Sequence, residues 1–239
     1  MAMSNWFRDA RDDRIDMYRR TFDIVVSAVL LLLALPIVVI AALGSFATLR
    51  AWPFFSQGRI GRDGERFRFL KVRTLRPDVP GYIDKHQLDQ SQIPAFCQLL
   101  RRLHLDELPQ LLLVLQGKMS LVGPRPEMGY LHRRMPASFA QLRTSVRPGC
   151  TGLWQVSEAS TDLIGKAPHY DRFYLANRTL RLDIWVLART ALNMVGIGRA
   201  ITLEDVPAWT LKRDASNVVV LSDAAHSESS ISLPATAAR

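Results

Sequence analysis

From Ile24 to Leu49 the chain carries no charged residue, an uninterrupted stretch of 26 positions bounded by Asp23 and Arg50. A helix needs about 20 apolar residues to cross a hydrocarbon core, so this run is long enough to span. Mixed-polarity residues 1–23 precede it and the run exceeds a signal-peptide core, so it is expected to stay attached. Pro36 sits in its middle, where it removes a helical hydrogen bond and crowds the carbonyl four residues back; a kink is expected there. Arg14, Arg19 and Arg20 flank one end and Arg50, Arg59 and Arg62 the other, so basic residues give little asymmetry to orient a crossing helix. The residues alone leave two topologies equally open. One is a plain spanning helix that tolerates its proline; the other is a helix-break-helix that enters and leaves on the cytosolic side.

The 239 residues suffice for one ordinary domain with a substantial core. A net charge of +9 suits polyanions, whether nucleic acid, anionic lipid or phosphorylated substrate, and cannot choose among them. Cys97 and Cys150 have no CxxC spacing, which argues against a disulfide framework, and the five histidines show no zinc-ligand pattern. Few aromatics interleave with the basic residues, so nucleic acid is not an expected partner.

After the apolar run, FSQGRIGRDGERFRFLKVRTLR (55–76) reads as a β-hairpin. Asp63-Gly64 is a turn signal, and Phe67 and Phe69 alternate with Arg66 and Arg68 as on a half-buried strand. Residues 77–94, with Pro77, Pro80, Gly81 and Pro94, read as a loop. Phe96, Leu99, Leu100 and Leu103 have helical spacing, followed by a second series at Leu108, Leu111, Leu112 and Leu115. Pro109 suits a first turn, so one helix is expected to end near His104 and another to start around Asp106 or Glu107. SLVGPRPE (120–127) reads as an ordered loop, 129–143 as a helix, and 146–156 as a loop with turns. Residues 180–197 form a helix with Leu180, Ile184, Leu187, Ala191 and Met194 on one face, packed on the core or laid along a membrane interface. From Ser222 the chain is rich in Ser and Ala and is expected to be a disordered tail.

The chemistry centres on LDELPQ (105–110). Asp106 and Glu107 are adjacent carboxylates at an expected helix start, where free N–H groups favour anions; Asp106 as N-cap and Glu107 as a first-turn residue is the plain reading. Rigidly placed cations change its weight. Arg125 lies between two prolines in GPRPE, Arg101 and Arg102 lie just upstream, and KVRT carries Lys71 and Arg73. Arginine presents a planar fork to phosphate oxygens, Mg²⁺ bridges phosphates through one or two carboxylates, and a free carboxylate can attack phosphorus. These parts fit phosphoryl transfer better than a serine, cysteine or zinc site.

The run LDELPQLLLVLQGKMSLVGPRPE closely resembles the signature of the bacterial sugar transferases, the monotopic phosphoglycosyl transferase family. FDIVVSAVLLLLALPIVVIAAL is similar to the family's membrane segment, FFSQGRIGRDGERFRFLKVRT to its hairpin, VRPGCTGLWQV to its later loop and RLDIWVLARTALNMV to its closing helix, covering about residues 21–198 in family order. The resemblance implies that Asp106 is the nucleophile toward the sugar-bearing phosphate of a UDP-sugar, releasing UMP, and that polyprenyl phosphate then takes up the sugar phosphate. It implies that Glu107 is the partner carboxylate associated with Mg²⁺, that Lys71, Arg101 and Arg125 contact phosphates, and that Pro36 marks the break of a re-entrant membrane helix. The chain departs from the family pattern at Leu113-Val114-Leu115, in SQIPAFCQLLRR and at Lys118, a cation where an anion is common. It resembles the short form, without the additional membrane helices of larger members.

The expectation is therefore an α+β protein, mostly α, with a re-entrant membrane helix, a small β-hairpin and interfacial helices around the site. Residues 1–20 form a cytosolic or interfacial segment, 21–50 the membrane helix, 51–210 the catalytic domain and 211–239 the tail. The expected partners are a UDP-sugar, polyprenyl phosphate and membrane lipids, the expected location is the bacterial inner membrane with the domain facing the cytosol, and homo-oligomer formation stays open. The alternatives are a non-catalytic basic membrane adaptor and a glycosyl transferase that releases UDP.

Overall fold

The computed structural model describes residues 2–79 and 93–212, with side chains from residue 16 onward. Most of the expected loop 77–94 and all but two residues of the expected tail lie outside the described residues. The fold is α+β and mostly helical.

Helix α1 runs from Ala2 to Leu49 and continues through Pro36. It starts well before the apolar run because residues 2–23 contain no Pro or Gly to stop it. From Asp16 to Leu49 the helix is long and apolar enough to cross a membrane. One stripe of it is nevertheless small or polar and buried: Arg19, Asp23, Ser27, Ala34, Ala41 and Ser45. Small side chains at four- and seven-residue steps let a neighbour approach closely along one face. Leu32, Leu33 and Leu43, on the other faces, are 73%, 66% and 64% exposed, an outward apolar surface that no soluble domain would leave uncovered.

Strands β1 (Phe54–Ile60) and β2 (Arg66–Val72) form the expected antiparallel hairpin, joined by a 3-10 turn at Arg62–Gly64 in which Asp63 has φ 55°. The expected alternation holds: Phe67 and Phe69 are buried, Arg66 and Arg68 exposed. Helix α2 (Ala95–Arg102) leads to a 3-10 turn at Leu105–Glu107 and then α3 (Gln110–Leu115). The expected helix start at Asp106 is thus a separate turn, and Asp106 makes no capping bond, because left-handed His104 (φ 53°) breaks the chain direction first.

The sequence reading missed a second, parallel sheet. Strand β3 (Ser120–Val122) pairs with β4 (Gly149–Thr151), Ser120 opposite Gly149 and Val122 opposite Thr151. The expected helix over 129–143 is two, α4 (Gly129–His132) and α5 (Ala137–Thr144), since Pro136 cannot continue the first and precedes the second. The expected loop 146–156 holds β4 and α6 (Leu153–Val156). Helices α7 (Pro168–Ala176) and α8 (Leu180–Met194) close the domain. On α8 the buried face is Leu182, Asp183 and Val186. The expected apolar stripe is split: Leu187 packs against the core while Ile184 and Ala191 are exposed; the helix is apolar on two sides, and periodicity cannot say which one meets the core.

Polar bonds tie α1 to this domain at both ends. Arg19 lies 2.7 Å from Asp183 and donates to the Tyr174 hydroxyl at 2.6 Å. Asp23 accepts from the Ser120 hydroxyl at 2.6 Å and the Leu121 amide at 3.1 Å. Near the other end the Ser45 hydroxyl donates to the Arg73 carbonyl at 2.6 Å.

Candidate active site

The hairpin register decides which basic residues face inward. Phe55 lies opposite Lys71, Gln57 opposite Phe69 and Arg59 opposite Phe67. Directly opposed residues share a face, so Lys71 and Arg59 project to the same side as the buried Phe67 and Phe69. The 3-10 turn with Asp106 and Glu107 packs against β2 and α1.

Asp106 is 4% exposed, and no described residue hydrogen-bonds its carboxylate. Burial, and next the charge of Glu107, push its pKa up to about 6, against the pull of Lys71, Arg101 and His104. Glu107 is set differently. Burial disfavours its charge, but Arg125, Lys71 and a 3.0 Å hydrogen bond from the Gln110 side chain outweigh that and hold its carboxyl below the usual range. Arg125 approaches the other Glu107 oxygen at 3.8 Å. The neighbouring carboxylates are therefore pushed apart in acidity, one made basic by desolvation and one kept ionised by cations, which suits two different tasks.

Lys71 lies against the Phe55 ring, its ammonium 5.9 Å from the centroid. Burial pushes its pKa down, while Glu107 and Asp106 pull it up. Arg101, in the last turn of α2, donates to the Thr74 hydroxyl at 3.3 Å and is among the charges felt by Asp106. Lys71, Arg101 and Arg125 are thus brought together around the carboxylates. Arg73 is not: it follows the end of β2, and its exposed guanidinium donates to the Trp52 carbonyl at 2.9 Å, over the Phe55 ring.

Sequence reasoning missed Arg59 as a site residue. Its guanidinium stacks 5.3 Å from the Phe69 centroid and donates to the Pro126 carbonyl at 3.1 Å, one residue from Arg125. Its buried Nε has no partner among the described residues. Burial and then the charge of Arg125 lower its pKa to about 10. The signal was available: with inward Phe67 and Phe69 and a turn at Asp63-Gly64, an arginine opposite Phe67 must sit on the buried face, where an arginine needs a reason.

The Gly123-Pro124-Arg125-Pro126 loop is fixed by backbone contact with Pro148-Gly149. The Gly123 amide donates to the Thr151 carbonyl at 2.9 Å and the Gly149 amide to the Pro124 carbonyl at 2.9 Å. A Cβ on Gly149 would lie 2.1 Å from the Gly123 nitrogen and 2.2 Å from the Thr151 oxygen, so the motif VRPGCTG needs glycine here. Gly149→Ala is expected to cost about 3 kcal/mol or more, because backbone cannot yield as a flexible side chain does; chemical denaturation would measure it. The carbonyl of Arg125 accepts from Arg143 at 2.7 Å, and Arg143 is paired with Asp171 at 2.6 Å, both side chains under 5% exposed.

A buried carboxylate that no described residue hydrogen-bonds, beside an ionised carboxylate and convergent cations, is an arrangement suited to phosphoryl transfer, set on an α+β scaffold with a long apolar helix. The chain belongs to the bacterial sugar transferase family, which it matches over residues 14–196. It is 34% identical over 192 residues to a UDP-glucose:undecaprenyl-phosphate glucose-1-phosphate transferase of Caulobacter vibrioides, covering 76% of this chain and 71% of that protein. It is 33% identical to the exopolysaccharide production protein ExoY of Rhizobium meliloti, covering 73% and 84%. Against the UDP-galactose-lipid carrier transferase of Erwinia amylovora it is 33% identical over 72% of this chain but only 39% of the relative, a much longer protein.

Proposed function

We propose that this enzyme transfers a sugar 1-phosphate from a UDP-sugar to polyprenyl phosphate, with release of UMP, and so starts lipid-linked exopolysaccharide or another surface glycan. The carrying observation is the Asp106 carboxylate, desolvated and hydrogen-bonded by no described residue, beside Lys71 and Arg101. An Asp106 oxygen attacks the sugar-bearing phosphorus of the diphosphate; the bond to the UMP oxygen breaks and its electron pair leaves with UMP. The phosphosugar is then held as an acyl phosphate. An oxygen of polyprenyl phosphate attacks the same phosphorus, expels the carboxylate and carries away the sugar as a polyprenyl diphosphate. Lys71, Arg59, Arg101 and Arg125 hold the phosphate oxygens and offset the charge that develops on them. Mg²⁺ fits this donor set: Glu107 is a hard oxygen ligand kept ionised, and such an ion, shared with the substrate diphosphate, would neutralise leaving-group charge.

The re-entrant reading of α1 is supported by its bonds at both ends to one domain. Asp23 and Ser45 are 22 positions apart, about 33 Å along a straight helix, more than the roughly 30 Å of hydrocarbon. A straight crossing helix would require the domain to reach both sides of the bilayer. A bend at Pro36 within the continuous helix, shallow enough to leave the far leaflet uncrossed, would keep Asp23, Ser45 and the whole domain on the cytosolic side of the inner membrane, with the exposed residues of α8 at the interface. Residue 50 is then expected to be labelled by impermeant thiol reagents, after Arg50→Cys in a cysteine-free background, only from the cytosolic side; labelling from the periplasm overturns the topology.

The reaction is tested by nucleotide release from detergent-solubilised protein with undecaprenyl phosphate, Mg²⁺ and a panel of UDP-sugars. UMP that depends on lipid and on Asp106, and that stops in excess EDTA, is expected. UDP instead of UMP would assign a glycosyl transferase that leaves the phosphate behind.

A further inference from the structure

Away from the carboxylates, five arginines converge on one cleft where α1 enters its apolar stretch: Arg19, Arg20, Arg62, Arg147 and Arg178. Among the described residues, two carboxylates, Asp16 and Asp23, line the same cleft. None of these residues belongs to the site around Asp106, which lies toward the Ser45 end of α1.

The hydrogen bonds leave part of this charge unused. Arg178 is matched by Asp16, and Asp23 is occupied by Ser120 and the Leu121 amide. Arg20 and Arg147 close the carboxyl end of α3, donating to the Val114 and Gly117 carbonyls at 2.8 and 2.9 Å. These are neutral acceptors, so the positive charges remain. Arg62 meets Asp63 at 3.3 Å, and both side chains are at least half exposed. Arg19 is 6% exposed, and although one of its nitrogens meets Asp183, its buried Nη1 has no partner among the described residues. Burial, then the nearby charges of Arg20 and Arg62, lower the pKa of Arg147, and the pull of Asp23 and Asp16 does not offset them. Helix capping accounts for Arg20 and for the Nε of Arg147. It does not account for the orphaned Arg19 nitrogen, or for Arg62 beside Arg147.

We propose that this cleft binds a phosphate group. Asp23 is the last charged residue before the uncharged run, so the cleft opens at a boundary of the apolar segment, the level of headgroup phosphates when α1 is in a membrane. Guanidinium forks match phosphate oxygens, and an arginine nitrogen already buried without a partner gains its missing bond. The group comes from an anionic lipid headgroup or from free phosphate; the chemistry is shared. The proposal rests on α1 meeting a membrane and not on the reaction assigned to Asp106, so a failed activity assay leaves it standing.

The test uses the full chain in a neutral detergent, with the melting temperature followed against dihexanoyl phosphatidylglycerol, dihexanoyl phosphatidylcholine or inorganic phosphate at constant ionic strength. A saturable rise with phosphatidylglycerol is expected. Its half-saturating concentration should increase at least tenfold in Arg62→Ala/Arg147→Ala, and stay within twofold in Arg66→Ala/Arg68→Ala, which removes the same charge from the outer hairpin face. Exposed Arg62→Glu gives the same reading if Arg147 proves necessary for folding. Saturation by inorganic phosphate assigns free phosphate as a ligand; saturation by the lipid alone assigns the headgroup. Equal weakening in both double variants, no weakening in either, or an equal response to phosphatidylcholine overturns the site.

Discussion

Asp106→Asn is expected to abolish UMP release and, at neutral pH, to make the protein more stable. The loss of activity follows from removing a buried carboxylate that no described residue hydrogen-bonds and that lies beside Lys71 and Arg101; an amide oxygen cannot form the acyl phosphate, so a fall of about 10³-fold or more in turnover is expected. The gain in stability follows from linkage. Asp106 has its pKa raised from 3.8 to about 6 in the folded chain, so folding favours the protonated form. Below about pH 3 the carboxyl is neutral in both states and nothing is lost. As pH rises from about 3 through 6 the unfolded chain ionises first, and the folded state loses about 2–3 kcal/mol, almost fully by pH 7. Asparagine, neutral throughout, avoids that loss. The melting temperatures of the two proteins should coincide near pH 3 and separate by several degrees at pH 7.5, the variant higher. Equal melting temperatures at pH 7.5 would mean that Asp106 is not desolvated in the folded enzyme, and retained turnover would remove it from the chemistry. The same titration governs the wild type, whose first half-reaction should rise with pH through about 6 as the nucleophile loses its proton.

Some features were open to sequence reasoning because a local period carried them. The uncharged run fixes α1, and alternation around Asp63-Gly64 fixes the hairpin and the inward direction of Lys71. Asp106, Glu107, Lys71, Arg101 and Arg125 were recognisable because they lie within short motifs. The failures share one cause, long-range packing without a local signature. Three-residue β3 and β4 pair across about thirty positions, too short for a periodic signal. Arg73 was grouped with Lys71 by proximity, although the strand ends between them and Arg73 turns to Trp52. On α8, apolar on two sides, the stripe chosen only partly meets the core. The turn holding the carboxylates was read as a helix start because the left-handed state of His104 is invisible in composition. Such a residue, two positions before Asp106, is backbone strain beside the carboxylate pair, held by the packing around it.

Arg143 and Asp171, which carried no signal of function in the sequence, should give the largest stability effect. Their 2.6 Å ion pair is almost wholly buried, and Arg143 also holds the Arg125 carbonyl. Burial pushes the Asp171 pKa up despite Arg143, so desolvation offsets much of the attraction, and the pair as a whole adds little net stability. Breaking it is another matter. Asp171→Ala leaves a guanidinium in the interior with no counter-charge, and a loss of about 3–5 kcal/mol is expected by chemical denaturation. The double variant Arg143→Met/Asp171→Leu removes both charges and refills the volume, so most of that loss should be recovered. Activity should not follow. Without Arg143 the Arg125 carbonyl loses its donor, and the guanidinium that faces Glu107 at 3.8 Å loses its fixed backbone. The double variant should therefore be stable yet at least tenfold slower, with the defect in kcat more than in KM, because precise cation placement matters most as charge develops on the transferred phosphate. If the repacked protein regained wild-type turnover, Arg143 would serve the core alone and Arg125 would need no support from it. If it stayed slow while folded, the buried pair would be a positioning device for the phosphate-binding loop, maintained for catalysis at no gain in stability.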